Sequence, residues 1–373
     1  MALLQLILHN FFSFIFIISL IVFIHEFGHF FVARLCGVKV DEFALGFGRE
    51  LFGFNDKKGT RWKFCLWPLG GYVKMYGDKN GASMPDAEAI ANMSEDEKEI
   101  SFVGKNVWQR MAIVIAGPIA NFILAIFIFT ILFRLNGLNT VLPVIDEVFP
   151  ESAAFESGLQ KGDKILAIDG NEISDFNDVR IAVITSLSDD LIFKIQRKIS
   201  KNEKIFEVKI SPKIQIRKDF FGDEVKMKTL GVSASETSHQ DLNLGQSFIR
   251  ANVETYQTSV AILKALGELI TGKRSVAELG GPIKIAKYSG KTVDMGITSV
   301  LWFMAMISVN LGVMNLLPVP MLDGGHLFFY IIEAIFKKPL SQKVQKIGFQ
   351  LGMSLVLALM IFTTINDVRQ LLH

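Results

Sequence analysis

The chain has 373 residues, of which 50% are hydrophobic and only 20% are charged, and its mean hydropathy is +0.37. Soluble domains carry about 25% charged residues, so the apolar excess must be concentrated in particular segments. The formal net charge of +2 argues against a basic surface for nucleic acid. Two cysteines, Cys36 and Cys65, are too few for a disulfide framework or a four-thiolate zinc site.

Four uncharged stretches are long enough to cross a bilayer, whose hydrocarbon core needs about 20 helical residues. They are 1–24, which stays apolar beyond His25-Glu26, and 111–133, 295–322 and 347–365. A buried helix of a soluble protein is the alternative for each stretch. A cleaved signal peptide is a further alternative for the first, although that stretch lacks a basic start and an A-x-A-like cleavage site. The sequence therefore predicts a polytopic α-helical membrane protein with four transmembrane helices.

Lysine and arginine near the ends of these stretches predict their orientation, because cytosolic loops carry the excess of positive charge. Basic residues cluster after the first stretch, before the second, and between the third and the fourth: Arg34, Lys39, Lys105, Arg110, Lys337, Lys338, Lys343 and Lys346. After the fourth stretch there is only Arg369. This pattern places the loops 35–107 and 323–346 in the cytosol, and it places both termini and the segment 135–294 outside.

The polar segments divide the chain into four parts. Residues 1–134 hold the first two spans, and their loop is predicted to form a membrane-associated β-hairpin in which 61–67 pairs with 72–76 across a glycine-rich turn. An α+β domain is predicted at 141–213, with strands at 141–149, 164–168, 191–197 and 204–210 and helices at 151–158 and 178–187. A linker follows at 214–294, with an amphipathic helix over 245–270. Residues 295–373 hold the last two spans.

The candidate chemistry lies at the end of the first apolar stretch. His25-Glu26-Phe27-Gly28-His29 is an H-E-x-x-H pattern, and helix positions i and i+4 share a face, so both imidazoles can reach one zinc ion. Glu26 is then placed to act as a general base. The bare pattern is weak evidence, but ionisable groups inside an apolar span are costly and indicate function. The alternative is a helix end that has reached the headgroups, where these side chains are solvated.

A catalytic zinc site needs a third protein ligand, and Asp323 is the best candidate. It ends the third uncharged stretch, which runs in the same direction as the first, so the motifs have the same predicted cytosolic depth. A simple Asp-Gly turn is the alternative for Asp323, and His326 is a rival ligand. Asn310 and Asn315 are polar groups in an apolar span. They could hydrogen-bond between helices only, but both are candidates for substrate or oxyanion contacts.

Taken together, these motifs resemble the site-2 protease family of intramembrane zinc metalloproteases. The resemblance rests on the H-E-x-x-H pattern, on Asn315-Leu-Leu-Pro-Val-Pro-Met-Leu-Asp323-Gly and on Ala116-Gly-Pro-Ile-Ala-Asn-Phe122 in the second span. Residues 158–170 are similar to a bacterial PDZ domain, and 270–283 are similar to the regulator-of-sigma-E protease subgroup. Related bacterial members often carry two PDZ domains, whereas one copy is recognised here.

The resemblance implies zinc as the cofactor, held by His25, His29 and Asp323, with Glu26 activating the water. It implies hydrolysis within transmembrane segments of proteins that another protease has already trimmed, such as anti-sigma factors or signal-peptide remnants. It also implies a bacterial inner-membrane protein whose PDZ domain lies in the periplasm and filters substrates by size. The expected partners are transmembrane substrates, the lipid bilayer and an upstream protease. A catalytically inactive PDZ membrane scaffold and a metal transporter are the alternatives from other classes.

Overall fold

The computed structural model describes residues 2–78, 92–186, 188–199, 202–218, 224–272, 280–338 and 340–372. The chain forms two compact units. The first comprises Met1–Leu132 and Ser247–His373, and the second is the inserted stretch Phe133–Gln246. The chain therefore leaves the first unit once and returns to it, as expected for a domain placed in the loop between two spans.

The helices in chain order are α1 (Ala2–Leu35), α2 (Glu95–Ile100), α3 (Val107–Asn136), α4 (Ala153–Glu156), α5 (Phe176–Thr185), α6 (Leu244–Ile270), α7 (Pro282–Asp294), α8 (Ile297–Leu316), α9 (Asp323–Phe336) and α10 (Gln342–Leu372). The strands are β1 (Val40–Asn55), β2 (Arg61–Met75), β3 (Leu138–Val141), β4 (Glu147–Val148), β5 (Lys164–Ile168), β6 (Asn171–Glu172), β7 (Leu191–Ile199), β8 (Asn202–Ile210), β9 (Lys213–Lys218), β10 (Glu224–Thr229), β11 (Val232–Ser233) and β12 (Thr237–Gln240).

Four helices of the first unit coincide with the predicted spans, namely α1, α3, α8 and α10. Each contains a segment long and apolar enough to cross a membrane: Leu4–Leu35, Val107–Asn136, Ile297–Leu316 and Lys343–Arg369. The prediction of four membrane-spanning helices is confirmed on these criteria. The third helix is shorter than its apolar stretch, because Pro318 and Pro320 lack the amide hydrogen that would continue it.

Close contacts join α3 to both α1 and α8. A Cβ atom at Gly28 would lie 2.4 Å from the carbonyl oxygen of Ala116, so the glycine permits α1 to cross α3 at short range. A Cβ atom at Gly312 would similarly lie 3.1 Å from Cζ of Phe122. Ser308 Oγ of α8 donates a hydrogen bond of 2.8 Å to the carbonyl oxygen of Asn121. Small and hydroxyl residues of this kind let membrane helices pack without a hydrophobic driving force, and they make α3 the common neighbour of the first and third spans.

The sheet that follows α1 differs from the predicted hairpin in its pairing. Residues 42–45 of β1 have two sets of Cα partners, which are 61–64 and 71–74 of β2. The two halves of β2 therefore flank the first part of β1, and the prediction that these halves pair with each other is wrong. The 61–64 half also pairs with 52–55 of β1. A local pattern of alternating residues around a glycine-rich turn cannot show that an earlier strand lies between the two halves.

One face of this sheet packs on α1 through aromatic rings. The ring of Phe43, which is 1% exposed, lies 4.4 Å from that of Trp62, and the Trp62 ring lies 5.1 Å from that of Phe30 on α1. The sheet also carries exposed aromatic side chains, which are Phe47, Phe52, Phe54, Phe64 and Trp67. Exposed aromatic rings on a membrane protein are typical of the membrane–water interface.

The second unit is built on a four-stranded antiparallel sheet with the order β6-β5-β7-β8. Strands β7 and β8 pair from Leu191↔Ile210 to Ile199↔Asn202, which confirms the hairpin predicted there. Helices α4 and α5 lie where helices were predicted, with α5 beginning two residues earlier, at Phe176. The inward positions of the sheet are fully buried and form an apolar core: Ile165, Ile168, Phe193, Ile195 and Ile210.

The strand predicted over 141–149 is partly wrong. The chain forms two short strands there, and β3 pairs with β12 whereas β4 pairs with β11. The partners lie in the segment 214–241, whose secondary structure the sequence pattern did not predict. Because the pairing joins residues about 100 positions apart, no local pattern could show it. The compact unit Phe133–Gln246 consequently extends beyond 141–213 on both sides.

Candidate metal centre

Helix α1 brings His25 and His29 together one turn apart. Their Nε2 atoms lie 3.3 Å from each other, and the two residues are only 7% and 8% exposed. With so little exposure, both rings are largely removed from bulk water. Two buried imidazole nitrogens that face each other at this distance are best satisfied by a shared partner.

Asp323, the first residue of α9, completes the cluster. Its Oδ2 atom lies 3.1 Å from Nε2 of His25 and 3.5 Å from Nε2 of His29. This oxygen is buried, and it has no hydrogen-bond partner among the residues that the structure describes. A buried carboxylate oxygen without a donor is costly, so the arrangement calls for a cation between the three side chains.

The three distances match one face of a zinc tetrahedron. Zinc bonds of about 2.0–2.1 Å place the ligand atoms of a tetrahedral site about 3.3–3.4 Å apart, and the distances here are 3.1, 3.3 and 3.5 Å. Two imidazoles and one carboxylate are also a donor set that zinc accepts in catalytic sites. The residues therefore fit a zinc ion, with the fourth position left for water or substrate.

Helix α3 contacts the two histidines at their Nδ1 atoms, on the side of each ring away from the cluster. The carbonyl oxygen of Ile113 lies 2.9 Å from Nδ1 of His29 and can accept its hydrogen. That bond holds the proton on Nδ1 and leaves Nε2 free to bind a metal, the usual arrangement for a metal-ligating histidine. The tautomer that zinc needs is thus favoured by the backbone of a neighbouring span.

Asn121 has the corresponding position beside His25. Its Nδ2 atom lies 3.1 Å from Nδ1 of His25, and its buried Oδ1 atom has no hydrogen-bond partner in the described part of the chain. With the amide turned by half a rotation, Oδ1 would accept the proton of Nδ1 and leave Nε2 of His25 bare. No role for Asn121 was predicted from the sequence. The available signal was a polar amide in the middle of an uncharged span.

Glu26 is partly buried on α1 beside the two histidines, and β2 passes close to it. A Cβ atom at Gly71 would lie 3.0 Å from Cγ of Glu26, so the bare glycine backbone of the strand contacts this side chain. Residues 71–74 of that strand pair with 42–45 of β1 on one side. This strand, which lies at one edge of the described part of the sheet, therefore runs alongside the candidate general base.

The remaining candidate residues differ in position. Nδ2 of Asn315 lies 3.5 Å from Nε2 of His25, so this amide borders the cluster. Asn310 is exposed on α8, away from the buried face of that helix. His326 packs edge to face on Phe349, with ring centroids 4.9 Å apart. The group that could hold a metal ion, among the residues described, consists of His25, His29 and Asp323.

Replacing Gly117 by alanine is expected to disrupt this cluster. The new Cβ atom would lie 2.2 Å from Nε2 of His29 and 2.9 Å from Cε1 of His25, so both rings would have to move. Overpacking of this kind costs about 1–3 kcal/mol, and zinc affinity should fall about tenfold or more. Zinc content after dialysis against a chelator is the measurement. Gly267→Ala on α6, where a Cβ meets nothing within 4 Å, is the matched control and should keep its zinc.

Comparison with known proteins agrees with this site. The sequence profile of Peptidase family M50 matches residues 13–359. A protein of Agrobacterium fabrum named as a zinc metalloprotease is 40% identical over 363 residues, which cover 96% of this chain and 95% of the relative. A protein of Rickettsia conorii with the same description is 40% identical over 362 residues, covering 96% and 98%. The metalloprotease MmpA of Caulobacter vibrioides is 34% identical over 381 residues, covering 96% and 95%.

Four helices apolar enough to cross a membrane and a His-His-Asp cluster, together with these relatives, define a zinc-dependent membrane metalloprotease. The chain belongs to peptidase family M50, the site-2 proteases, which cleave within membranes. The resemblance drawn from the motifs, the assignment as a metalloprotease and the expectation of zinc are all confirmed.

Proposed function

We propose that this protease hydrolyses peptide bonds within transmembrane segments of proteins that another protease has already trimmed. His25, His29 and Asp323 hold the zinc ion in this proposal, and Glu26 is the general base. The observation that carries it is the buried triangle of ligand atoms, whose edges of 3.1–3.5 Å fit a tetrahedral zinc site. Bound zinc supplies a Lewis acid that lowers the pKa of a coordinated water to about 7.

Glu26 and Asn315 have separate roles in the proposed reaction. Glu26 follows His25 directly on α1 and accepts the proton of the attacking water, then passes it to the leaving amide nitrogen. Asn315 lies at the border of the cluster, with Nδ2 3.5 Å from His25 Nε2, and donates to the oxyanion that develops on the scissile carbonyl. Asn310 is exposed on α8 and is proposed only as a contact for the substrate helix.

A helical substrate hides its scissile carbonyl in its own hydrogen-bond ladder, so a part of it must unwind before cleavage. The strand at 71–75 passes close to Glu26 at Gly71, where an added Cβ atom would lie 3.0 Å from Cγ of Glu26. An extended substrate that adds to this strand would satisfy its backbone groups by β-strand addition and present a carbonyl to the site. The substrate is thus proposed to add to the strand at 71–75, on the side away from β1.

The protein is proposed to lie in a bacterial inner membrane with its metal centre toward the cytosol and both termini in the periplasm. The basic residues at the ends of the spans support this orientation. A cysteine at the exposed position Lys58, in a background without Cys36 and Cys65, should react with an impermeant maleimide only after cell lysis. A cysteine at Asn202 in the second unit should react in intact cells. The reverse pattern would contradict the orientation.

The second unit is proposed to be a PDZ-like periplasmic domain that filters substrates by size. Its sequence connects the second and third spans, and every proposed zinc ligand lies outside it. Deleting 141–213 should therefore preserve the chemistry and permit cleavage of substrates that keep a bulky external domain. Cleavage of one transmembrane substrate, with and without a folded external domain, is compared for the intact and the deleted enzyme. Equal preference for the trimmed substrate in both enzymes would exclude a filter.

The natural substrates can be identified by comparing membrane-peptide fragments from cells that produce the wild-type enzyme or Glu26→Gln. We expect fragments that end inside transmembrane segments, from anti-sigma factors or signal-peptide remnants, only with the wild type. A catalytically inactive scaffold would give identical fragments in both strains. Loss of the same fragments when the upstream protease is removed would establish the order of the two cuts.

A further inference from the structure

The position of Asp323 depends on α9 as a rigid body. The six residues before it, 317–322, are not helical, contain Pro318 and Pro320, and place Met321 at φ 91°. This connection breaks the helix, so α9 is not a continuation of α8. Asp323 is the first residue of α9, which runs to Phe336. Whatever fixes the far end of α9 therefore also fixes the carboxylate at its beginning.

A bidentate ion pair anchors that far end. Arg110 Nη2 donates to Glu333 Oε1 at 2.5 Å, and Nη1 donates to Oε2 at 3.2 Å. The two side chains are only 15% and 16% exposed. The guanidinium carbon lies 4.8 Å from the ring centroid of Tyr330, one turn before Glu333, and Nε donates to the carbonyl oxygen of Lys105 at 3.1 Å. Burial raises the pKa of Tyr330 to about 12, so the guanidinium faces a neutral phenol ring.

Arg110 belongs to the helix that also supports the histidines. Ile113, one turn further along α3, offers its carbonyl oxygen to Nδ1 of His29 at 2.9 Å. The first turns of α3 thus contact His29 on α1 and Glu333 on α9. Glu333 lies ten residues after Asp323, or about 15 Å along the helix. This distance excludes direct contact with the metal centre and leaves a role through the orientation of α9.

We infer that the Arg110–Glu333 pair is a positioning device that sets the Asp323 carboxylate at ligand distance from His25 and His29. The inference rests on the proposed zinc ligands. It means that an ion pair near the C-terminal end of α9 controls metal affinity. Neither residue of this pair belongs to the H-E-x-x-H pattern or to the Asp-Gly motif. Direct hydrogen-bond partners of metal ligands change metal affinity by about 10–100-fold, and a pair that acts through the orientation of α9 is expected to lie at the lower end of that range.

The competing explanation is that the ion pair only stabilises the fold. Removing one partner of a partly buried pair destabilises a protein in either case, because the other charge is left unpaired. Stability alone therefore does not distinguish the two roles. Two other measurements do distinguish them, namely the rate of zinc release and the visible spectrum of the cobalt-substituted protein, because both report on the ligand geometry of each folded molecule.

The test uses the purified full-length protein in detergent, with Glu333→Gln, Arg110→Gln and the conservative variant Arg110→Lys. Zinc release into an excess of chelator should be about tenfold faster in the two glutamine variants, and the cobalt bands should weaken. Arg110→Lys keeps the positive charge but cannot make the bidentate contact with Glu333. Its zinc release rate should therefore lie between those of the wild type and the glutamine variants. The double variant with the two charges exchanged, Arg110→Glu with Glu333→Arg, should release zinc more slowly than the glutamine variants.

Arg197→Gln is the matched control. It breaks another bidentate pair, with Asp163 at 2.6 and 2.7 Å, inside the second unit. It should lower the thermal stability and leave zinc release unchanged. Wild-type release rates in both glutamine variants would overturn the inference, as would an equal acceleration in Arg197→Gln. A wild-type protein that binds no zinc would contradict the proposed ligands instead, and the two failures are thereby separated.

Discussion

Glu26→Gln is expected to abolish measurable cleavage while the protein keeps its zinc. Glutamine has nearly the same shape as glutamate but cannot accept the proton of the attacking water, and general base catalysis contributes about 10²–10⁴-fold to rate. The three proposed ligands are untouched, and their distances of 3.1–3.5 Å do not depend on the Glu26 carboxylate. The expected result is a fall in the rate constant of about 10²-fold or more with an unchanged zinc content.

The measurement is single-turnover cleavage of a transmembrane substrate peptide in detergent, together with elemental analysis of the same sample. Glu42→Gln is a useful control, because Glu42 is a partly buried glutamate of the neighbouring sheet that pairs with Lys63 at 2.7 Å. It should retain activity within a few-fold of the wild type. Near wild-type rates in Glu26→Gln would remove this residue from the role of base. Loss of zinc together with activity would assign it a structural role instead.

The second large effect is expected from Asp323→Ala. Two imidazoles without the carboxylate make a poor zinc site, and each lost ligand also leaves the ion with excess positive charge in an apolar environment. Both zinc content and cleavage should fall by at least tenfold at a fixed chelator concentration. The variant should still fold, because it also removes a buried carboxylate oxygen that has no donor among the described residues.

His326→Ala separates the two candidates for the third ligand. The ring of His326 packs on Phe349, so its removal leaves a small cavity and should reduce stability more than zinc content. A stronger loss of zinc in His326→Ala than in Asp323→Ala would reverse the assignment. Comparable losses of zinc in both variants would indicate that the first turn of α9 is needed as a unit to form the site. The cobalt spectra would then show which side chain is coordinated.

The sequence was most informative where the relevant spacing is local. His25 and His29 share a helix face, and the helix is present where the apolar run predicts it. Asp323 required a second argument, the equal depth of two spans, and the structure places it beside both histidines. Asn121 received no role, because the orientation of a polar residue toward a neighbouring helix depends on how the spans pack.

The β-strands show more strongly that local sequence patterns do not predict contacts between distant segments. Strands β5, β7 and β8 lie where the pattern predicts them, but partners that are distant in sequence are set by topology. Residues 42–45 lie between two halves of β2 that local pattern would join. In the second unit, β3 and β4 find β12 and β11 at the far end of the insertion. The energy of a sheet comes from cross-strand pairs. The pairing of β7 with β8, which are adjacent in sequence, was therefore predictable, whereas partners distant in sequence were not.

The separation of the ligands along the chain has a consequence for biosynthesis. The residues from His29 to Asp323 include two further spans and the whole second unit. At about 5–20 residues per second, the ribosome needs about 15–60 s to pass from one to the other. During that interval the growing chain has two histidines and no carboxylate ligand, so the metal centre proposed here cannot yet form. The protease would acquire its cutting ability only when its third membrane helix has been made, and a chain released earlier would be harmless to the membrane that receives it.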